Sequence, residues 1–468
     1  MTPILLAGQA AIWLIVCYIF ASGRASSVFH PFAFYLAFHG IVFVLRPILV
    51  YAFGLEAVFF VMRFYPSAEE FNFTLLLSTA AMLVFGVVTW RVQGPLPHFD
   101  RQARTGFGRA ERHALAFVVV LLAPIAIYSV LIGIQSTVDT GTTGSVIEME
   151  RDVNTGVIGF SNTTGYIVDA QMVIGPLSLM LIWAYRFRPW SFLPLLIYLA
   201  ERAYIGWGRW TIVLTLMTLG LLFLTTRKLR WIPVYMIAAA VPVLIIFQQL
   251  GEQREVFQAL ITGDVIDEDP ILAGGNWVER HDSPDFANFD FLTYVVDAVP
   301  AKSGTYSYFT QYLQLFTEPI PRILWSGKPY GPPIQLVNLN EFGNFVGWTT
   351  SLVGDGWISG GWLGVIVTMT IVAWLTMRMH RWFWSGAATN FKVLVYCAFL
   401  PLTLQWFRDG GISIAKFVFL TIGPLLLWRL VAQMLERRRV VGPRTWRPRQ
   451  VSSLAPSAPS ERRSSDTP

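Results

Sequence analysis

A group of basic side chains stands out because each lies in a long polar segment or beside the end of a hydrophobic run. A guanidinium group is planar, permanently charged and able to donate two hydrogen bonds at once, which suits a pyrophosphate. Each residue alone is more typical of a snorkelling or ion-paired interfacial cation, whereas the group together favours an anionic ligand. The pyrophosphate candidates, in order, are Arg254, Arg322 and Arg209, then Arg280, Lys328 and Arg408, with Arg202 close to Arg209.

Carboxylates and one histidine in the same regions could accept a proton. Asp355, Glu252 and Asp409 each lie within a few residues of a hydrophobic run, and His281 follows Arg280. Carboxylates and imidazoles are the usual general bases, although a lone histidine is more often structural. The catalytic candidates are, in order, Asp355, His281 and Glu252.

Aromatic residues in the same polar segment offer flat apolar faces on which sugar rings could stack. Trp325, Tyr330 and Trp357 are the candidates for this role. Aromatic side chains also commonly anchor proteins at membrane interfaces, so this alternative stays open.

The sequence predicts no metal and no cofactor. The acidic run Asp264, Asp267, Glu268 and Asp269 lacks the glycine and closing glutamate of a calcium loop, and it is more typical of a solvated turn. Walker, HExxH and GxSxG motifs are absent from the sequence. The two cysteines lie in hydrophobic runs and indicate no disulfide framework.

The elements that must position these residues are membrane helices. Hydrophobic residues make up 54% of the chain and charged residues only 14%, which excludes a soluble domain. Apolar runs of roughly 17 to 25 residues are long enough to cross a bilayer as helices. We predict an all-α polytopic protein with eleven spans, at residues 3–21, 28–53, 71–91, 113–134, 166–187, 189–204, 209–226, 231–250, 357–377, 388–407 and 412–433.

Arginine and lysine collect in one set of alternating loops, which predicts an external N-terminus and a cytoplasmic C-terminus. Charges inside the spans look sparse, with Asp169, Lys392 and Lys416 all near span ends. Four regions follow: spans in 1–250, a large external loop in 251–355, spans in 356–436, and a basic tail in 437–468 that its composition predicts to be disordered.

The large loop carries fourteen acidic and five basic residues, a net charge of −9 in a chain whose net charge is +6. The basic balance of the chain therefore reflects topology and does not indicate nucleic-acid binding. Inside the loop, Phe289, Leu292, Val296 and Val299 recur at helical spacing, opposite Asp290, Thr293 and Asp297, and Pro300 ends the run. We predict an amphipathic helix here, at the outer interface, packed on the bundle or on lipid headgroups.

Several elements of residues 200–380 resemble the Wzy-type polymerases of bacterial surface polysaccharides. They are the helix ending at Val299-Pro300, Gly304-Thr305-Tyr306-Ser307-Tyr308, Pro321-Arg322-Ile323-Leu324-Trp325 with Lys328-Pro329, Gly354-Asp355-Gly356-Trp357, and Gly360-Gly361-Trp362-Leu363-Gly364. Gly206-Trp207-Gly208-Arg209 resembles the family's G-S-R element, with Trp207 in place of a small residue. The remainder of the chain is similar only in hydropathy.

The resemblance implies a GT-C-like glycosyltransferase of the bacterial inner membrane. Such an enzyme joins undecaprenyl-pyrophosphate-linked oligosaccharide repeat units at the periplasmic face, without metal or nucleotide. Expected partners are that lipid-linked glycan, the bilayer, and a flippase and a chain-length regulator of the same pathway, but no nucleic acid.

Two alternatives stay open at this point. An O-antigen ligase uses the same type of donor and also has a large periplasmic loop. A transporter or flippase of the lipid-linked glycan predicts charges buried within spans and discontinuous helices, for which Pro124, Pro176, Pro242 and Pro401 leave room.

Overall fold

The computed structural model describes residues 1–92, 106–140, 149–151, 158–160, 169–205, 210–240, 242, 282, 286–320, 324–325, 327–328, 331–345 and 348–440. Within these ranges the chain is mainly helical. One short antiparallel hairpin pairs β1 (Met149–Arg151) with β2 (Ile158–Phe160), Glu150 lying opposite Gly159.

The helices fall into two groups, before and after the long loop. The first group is α1 (Thr2–Ser22), α2 (Pro31–His39), a π-helical stretch (Gly40–Leu45), α3 (Arg46–Phe53), α4 (Ala57–Met62), α5 (Ala68–Arg91), α6 (Arg109–Thr140), α7 (Ile174–Ala184), α8 (Leu193–Ile205) and α9 (Trp210–Arg227). The second group is α10 (Asn288–Ala298), α11 (Gln314–Thr317), α12 (Ser351–Trp384), α13 (Asn390–Asp409) and α14 (Gly411–Val440). Short 3₁₀ turns cover Asp169–Val173, Pro189–Phe192, Thr310–Leu313 and Leu339–Glu341.

Seven helices in the described ranges are long and apolar enough to cross a membrane: Thr2–Ser22, Pro31–Phe53, Ala68–Arg91, Arg109–Ile132, Trp210–Arg227, Ser351–Trp384 and Gly411–Arg437. The prediction of a helical, multi-pass membrane protein is confirmed. Each predicted span except 231–250 overlaps one of the helices α1 to α14, whether or not that helix is among these seven. The span 231–250 is described only over 231–240 and at residue 242. The count of eleven spans and their orientation stay predictions.

Side-chain exposure separates a lipid-facing exterior from a packed interior. α1 and α6 carry apolar side chains that are about three-quarters exposed, for example Ile4 at 76% and Val120 at 74%. Apolar surface on this scale would contact lipid tails in a bilayer. In contrast, Trp183, Trp428 and Tyr396 are completely buried between helices.

The predicted loop helix exists as α10, but it does not lie on a surface. It packs against α12, α5, the π-helical stretch and α3, and Phe289, Asp290 and Thr293 are all fully buried. Of the two predicted settings, on the bundle or on lipid headgroups, the structure shows the first, and Asp290 and Thr293, which the pattern set opposite the apolar residues, are buried as well. The physical reason is Arg46, whose guanidinium neutralises Asp290 inside the bundle.

α12 is broken at Gly360 and Gly361, where the chain folds back on itself. Gly361 has a φ of +57°, which favours glycine. A Cβ on Gly364 would overlap the carbonyl oxygen of Gly356, and one on Gly356 would lie 2.7 Å from Val365 Cα. Gly356 and Gly364 thus allow the short first segment of α12, which carries Asp355, to lie directly against the rest of the helix.

Candidate functional site

Asp355 lies where the first segment of α12 meets the junction between α13 and α14. The residue is only 5% exposed. Its Oδ1 atom accepts a hydrogen bond from the Thr350 hydroxyl. Its Oδ2 atom accepts hydrogen bonds from the Gly411 backbone N–H at 2.6 Å and from the Tyr312 hydroxyl at 3.3 Å. The carboxylate therefore joins three separate parts of the chain.

Glycine at the α13–α14 junction makes this contact sterically possible. Gly410 has a φ of +85°, and a Cβ there would overlap the Asp355 carboxylate. A Cβ on Gly411 would overlap the Tyr312 ring and lie 2.7 Å from the Tyr312 hydroxyl oxygen. Larger residues at these two positions would fill the space that Asp355 and Tyr312 occupy.

Tyr312 reaches the site from a turn held in a strained conformation. Tyr308 and Phe309, just before the turn at Thr310–Leu313, have φ values of +47° and +64°. Non-glycine residues in this region cost about 1–3 kcal/mol each and persist only where the surroundings enforce them. Burial, followed by the neighbouring Asp355 carboxylate, raises the pKa of the Tyr312 phenol, so the phenol stays protonated and donates to Asp355.

Hydrogen bonds between the turn and α12 hold the strained residues in place. The Ser307 N–H donates to the Ile358 carbonyl oxygen at 2.8 Å. The Gln311 amide donates to Ser359 Oγ at 2.7 Å, and Ser359 Oγ donates to the Asp355 carbonyl oxygen at 2.6 Å. The turn and the segment that carries Asp355 are thus positioned together.

Asn288, the first residue of α10, connects the two sides of the site. Its Nδ2 atom donates to Thr349 Oγ1 at 3.1 Å and to the Arg408 carbonyl oxygen at 2.9 Å. Asn288 is fully buried. Thr349 directly precedes the segment that carries Asp355, and Arg408 lies in the last turn of α13, so Asn288 connects α10 to both of these parts of the chain.

Among the predicted basic residues that the structure describes, Arg408 lies in the last turn of α13, shortly before the Gly411 N–H that binds Asp355. Its guanidinium carbon lies 4.4 Å from the centre of the Trp210 ring, and its NH1 donates to Asp409 Oδ1 at 2.9 Å. The Asp409 carboxylate also accepts a hydrogen bond from the Gln405 amide. A stacked, ion-paired guanidinium of this kind is held in a fixed orientation, which suits recognition of a phosphate group.

Two further ion pairs lie on the neighbouring helices. Arg202, on α8, is 3% exposed and forms two hydrogen bonds of 2.8 Å with Glu201. Lys416, on α14, pairs with Asp169. The ordinary interpretation that the sequence allowed for Arg202, an ion-paired cation, agrees with this contact.

Arg46 was not among the predicted site residues; it is 2% exposed and lies within the predicted span 28–53. Its NH2 atom lies 2.5 Å from carboxylate oxygens of both Asp282 and Asp290. A charged residue inside a span indicates a functional or paired group by default, so its position in the run was the signal to follow. The π-helical stretch directly before it is a second indicator of a special site, but it cannot be read from sequence.

The other predicted residues are divided by what the structure describes. Seven lie outside the described residues: Glu252, His281, Arg254, Arg322, Arg209, Arg280 and Tyr330. Lys328 lies in the long loop, where its ammonium donates to the carbonyl oxygens of Glu318 at 2.8 Å and Ile320 at 3.1 Å. These two hydrogen bonds stabilise the loop.

The two described aromatic candidates differ in exposure. Trp325 is 36% exposed, which is compatible with a sugar-stacking role. Trp357 is 6% exposed, packs on Phe73 and Trp362, and donates from Nε1 to the Val299 carbonyl oxygen at 2.7 Å. Burial on this scale argues against Trp357 as a sugar platform and indicates that it anchors the end of α10 to α12.

Among the described residues, no three His, Cys, Asp or Glu side chains are grouped so that they could hold a metal ion. The chain matches no protein-family model, no curated protein and no solved structure. The resemblance to Wzy-type polymerases accordingly stays a prediction from sequence motifs. What the geometry adds is a buried carboxylate and a phenol that meet at a break between helices, directly after the helix end that carries Arg408.

Proposed function

We propose that this protein is a glycosyltransferase that polymerises undecaprenyl-pyrophosphate-linked oligosaccharide repeat units into a surface polysaccharide. In this proposal the chain has eleven spans in a GT-C-like arrangement in a bacterial inner membrane, with the N-terminus and the site on the periplasmic side. No metal or nucleotide takes part. A flippase and a chain-length regulator of the same pathway supply the substrate and set the product length.

The observation that carries the proposal is that Asp355 is hydrogen-bonded to the junction directly after the last turn of α13, which carries Arg408. Both were selected from sequence as candidates for one reaction, and they lie on different helices. Their surroundings are joined by Asn288 and by the Gly411 N–H that binds Asp355. Transfer from a lipid pyrophosphate requires a carboxylate as base and a cation for the leaving group, and these two helix ends supply one of each.

The chemistry assigns each group one task. Arg408 would bind the pyrophosphate, and its positive charge would stabilise the negative charge that develops on the leaving oxygen. Asp355 would accept the proton that the attacking sugar hydroxyl loses. Trp325 would offer a partly exposed ring to a sugar of either substrate.

The test is a reaction with the purified protein in lipid nanodiscs and a lipid-linked repeat unit from the host. We expect a ladder of glycan multiples and release of undecaprenyl pyrophosphate. Arg408→Ala should lower the rate about 10²- to 10³-fold, the range for loss of one such charge-stabilising donor.

Arg378→Ala is the matched control for Arg408→Ala. Arg378 also stacks on a tryptophan, with its guanidinium carbon 5.2 Å from the Trp374 ring centre, but it lies towards the other end of α12. The control should keep the wild-type rate. An unchanged monomer with folded wild-type protein would overturn the proposal, as would equal rates for the two variants.

A transporter of the same lipid-linked glycan is the second candidate, because two observations favour it. α12 is interrupted at Gly360–Gly361, and Arg46 is buried within a span. Discontinuous helices and charges within the bundle are typical of secondary transporters. Movement of the lipid-linked glycan across proteoliposomes, without any ladder, would favour this function over polymerisation.

A further inference from the structure

We propose that the Tyr312 hydroxyl is the group that meets the acceptor sugar and that it passes the sugar's proton to Asp355 behind it. This inference rests on the proposed function and deepens it. It assigns a catalytic role to a residue that the sequence motifs did not select for proton transfer.

The first argument is access. Asp355 is 5% exposed, and its two oxygens are surrounded by the Thr350 hydroxyl, the Gly411 N–H and Tyr312. Tyr312 is partly exposed, while its hydroxyl lies 3.3 Å from Asp355 Oδ2. Because Tyr312 is the partly exposed residue of this pair and Asp355 the buried one, we place the acceptor hydroxyl on the Tyr312 side.

The second argument compares Tyr312 with Thr350, the other partly exposed hydroxyl that donates to Asp355. A phenol is far more acidic than an aliphatic alcohol, with an ordinary pKa of about 10. Burial and Asp355 raise the pKa of Tyr312, so the phenol is intrinsically the better proton donor of the two hydroxyls but gives its proton to Asp355 only as it receives another.

The third argument is the conformation that presents Tyr312. Two successive non-glycine residues, Tyr308 and Phe309, adopt positive φ values directly before its turn. Strained backbone of this kind clusters at functional sites, where the surroundings enforce it. Here the hydrogen bonds from Ser307 and Gln311 to α12 enforce it, and their result is the placement of Tyr312 beside Gly411.

The proposed step is one displacement at the anomeric carbon coupled to two proton transfers. The acceptor hydroxyl oxygen forms a bond to the anomeric carbon of the donor glycan while the bond from that carbon to the pyrophosphate oxygen breaks. The lipid pyrophosphate leaves with the electron pair. The hydroxyl proton moves to the Tyr312 oxygen as the Tyr312 proton moves to Asp355 Oδ2, so Tyr312 ends neutral and Asp355 ends protonated.

The test compares Tyr312→Phe with Thr350→Val in the full-length protein, because each removes one hydroxyl donor to the same carboxylate. Rates are measured by release of lipid pyrophosphate from a lipid-linked repeat unit. We expect Tyr312→Phe to lower kcat at least about 100-fold, in line with the loss of general base catalysis. Thr350→Val should lower kcat less than about tenfold, the effect of losing one hydrogen bond near the carboxylate.

Replacement of Tyr312 by 3-fluorotyrosine keeps the shape of the side chain and makes the phenol more acidic. A changed kcat with unchanged thermal stability would support proton transfer, and it also covers the case in which Tyr312→Phe does not fold. Equal losses of kcat in Tyr312→Phe and Thr350→Val, or a kcat that 3-fluorotyrosine leaves unchanged, would overturn the inference. The wild-type ladder would still support the proposed function. A wild-type protein that releases no lipid pyrophosphate would overturn both.

Discussion

The two ends of the helix bundle both bury polar side chains, but in different ways. At the end that holds Asp355, helices are interrupted by glycines, and backbone N–H, hydroxyl and carboxylate groups converge from α12, α14 and the long loop. At the opposite end, His380 and Tyr396 lie within continuous helical turns and form a closed chain of hydrogen bonds. Interrupted helices leave backbone groups for a ligand, whereas a closed chain uses up its donors and acceptors.

The hydrogen bonds among His380, Tyr396 and Phe29 run in one direction. The Tyr396 hydroxyl donates to the Phe29 carbonyl oxygen at 2.7 Å, and the same hydroxyl lies 2.7 Å from His380 Nδ1. Since the single hydroxyl proton of Tyr396 points to Phe29, the Tyr396 oxygen accepts a hydrogen bond from His380 Nδ1, which requires the Nδ1–H form of that histidine. The cluster is therefore satisfied internally, and we interpret it as structural.

The largest effect on this comparison should come from Arg46→Ala. Removing the guanidinium leaves Asp290 and Asp282 without the cation that lies 2.5 Å from each. Breaking one side of a buried ion pair costs about 3–5 kcal/mol, so we expect a loss of stability of that order. Thermal unfolding of the detergent-solubilised protein measures it.

A double variant separates charge from packing at the same place. Arg46→Met combined with Asp290→Leu replaces the pair by apolar residues of similar volume, and it should recover part of the lost stability. A single Arg46→Ala variant as stable as wild type would show that α10 does not depend on this ion pair.

Gly410→Ala should have the next largest effect, and Gly386→Ala is its control. Both glycines have positive φ, +85° and +57°, but a Cβ meets the Asp355 carboxylate at Gly410 and nothing within 4 Å at Gly386. Gly386→Ala should cost about 1–2 kcal/mol from the left-handed conformation alone. Gly410→Ala should cost more and should also reduce the proposed glycan transfer, because Asp355 must move.

Thermal unfolding and the pyrophosphate-release assay together check this pair. If Gly410→Ala matched Gly386→Ala in both stability and rate, the Asp355 carboxylate would not depend on the space at the α13–α14 junction. The contrast between the end that holds Asp355, where helices are interrupted, and the end that holds His380 and Tyr396 would then lose its main support.

Particular residues show what the sequence could and could not predict. The start of α5 can be predicted from sequence, since Ser67 and Glu70 have the spacing of a capping box. In the structure each side chain binds the other's backbone N–H. The helix at Asn288–Ala298 was readable from its period and from Pro300. Its burial was not, because local pattern cannot show that Arg46, far away in sequence, would neutralise Asp290.

The candidate site follows the same division. Asp355 and Arg408 were predicted from their residue types beside hydrophobic runs, which is local information. Tyr312, Asn288 and Gly411 were not selected for the site, because their roles depend on contacts between distant segments. Gly410 and Gly411 are a readable break, but only the fold shows that the space they leave is filled by Asp355 and Tyr312.

The smallest effect is expected from Tyr396→Phe, at the closed end. The change removes the donor to the Phe29 carbonyl oxygen and leaves the His380 Nδ1–H without its acceptor, in a region that is completely buried. Loss of one partner in a buried hydrogen bond costs about 1–3 kcal/mol, so thermal stability should fall by that amount. The rate of pyrophosphate release should stay at the wild-type level, because no group at this end contacts the proposed substrates. A large loss of rate in protein that still unfolds cooperatively would mean that the His380–Tyr396 cluster takes part in function and that the two ends of the bundle are coupled.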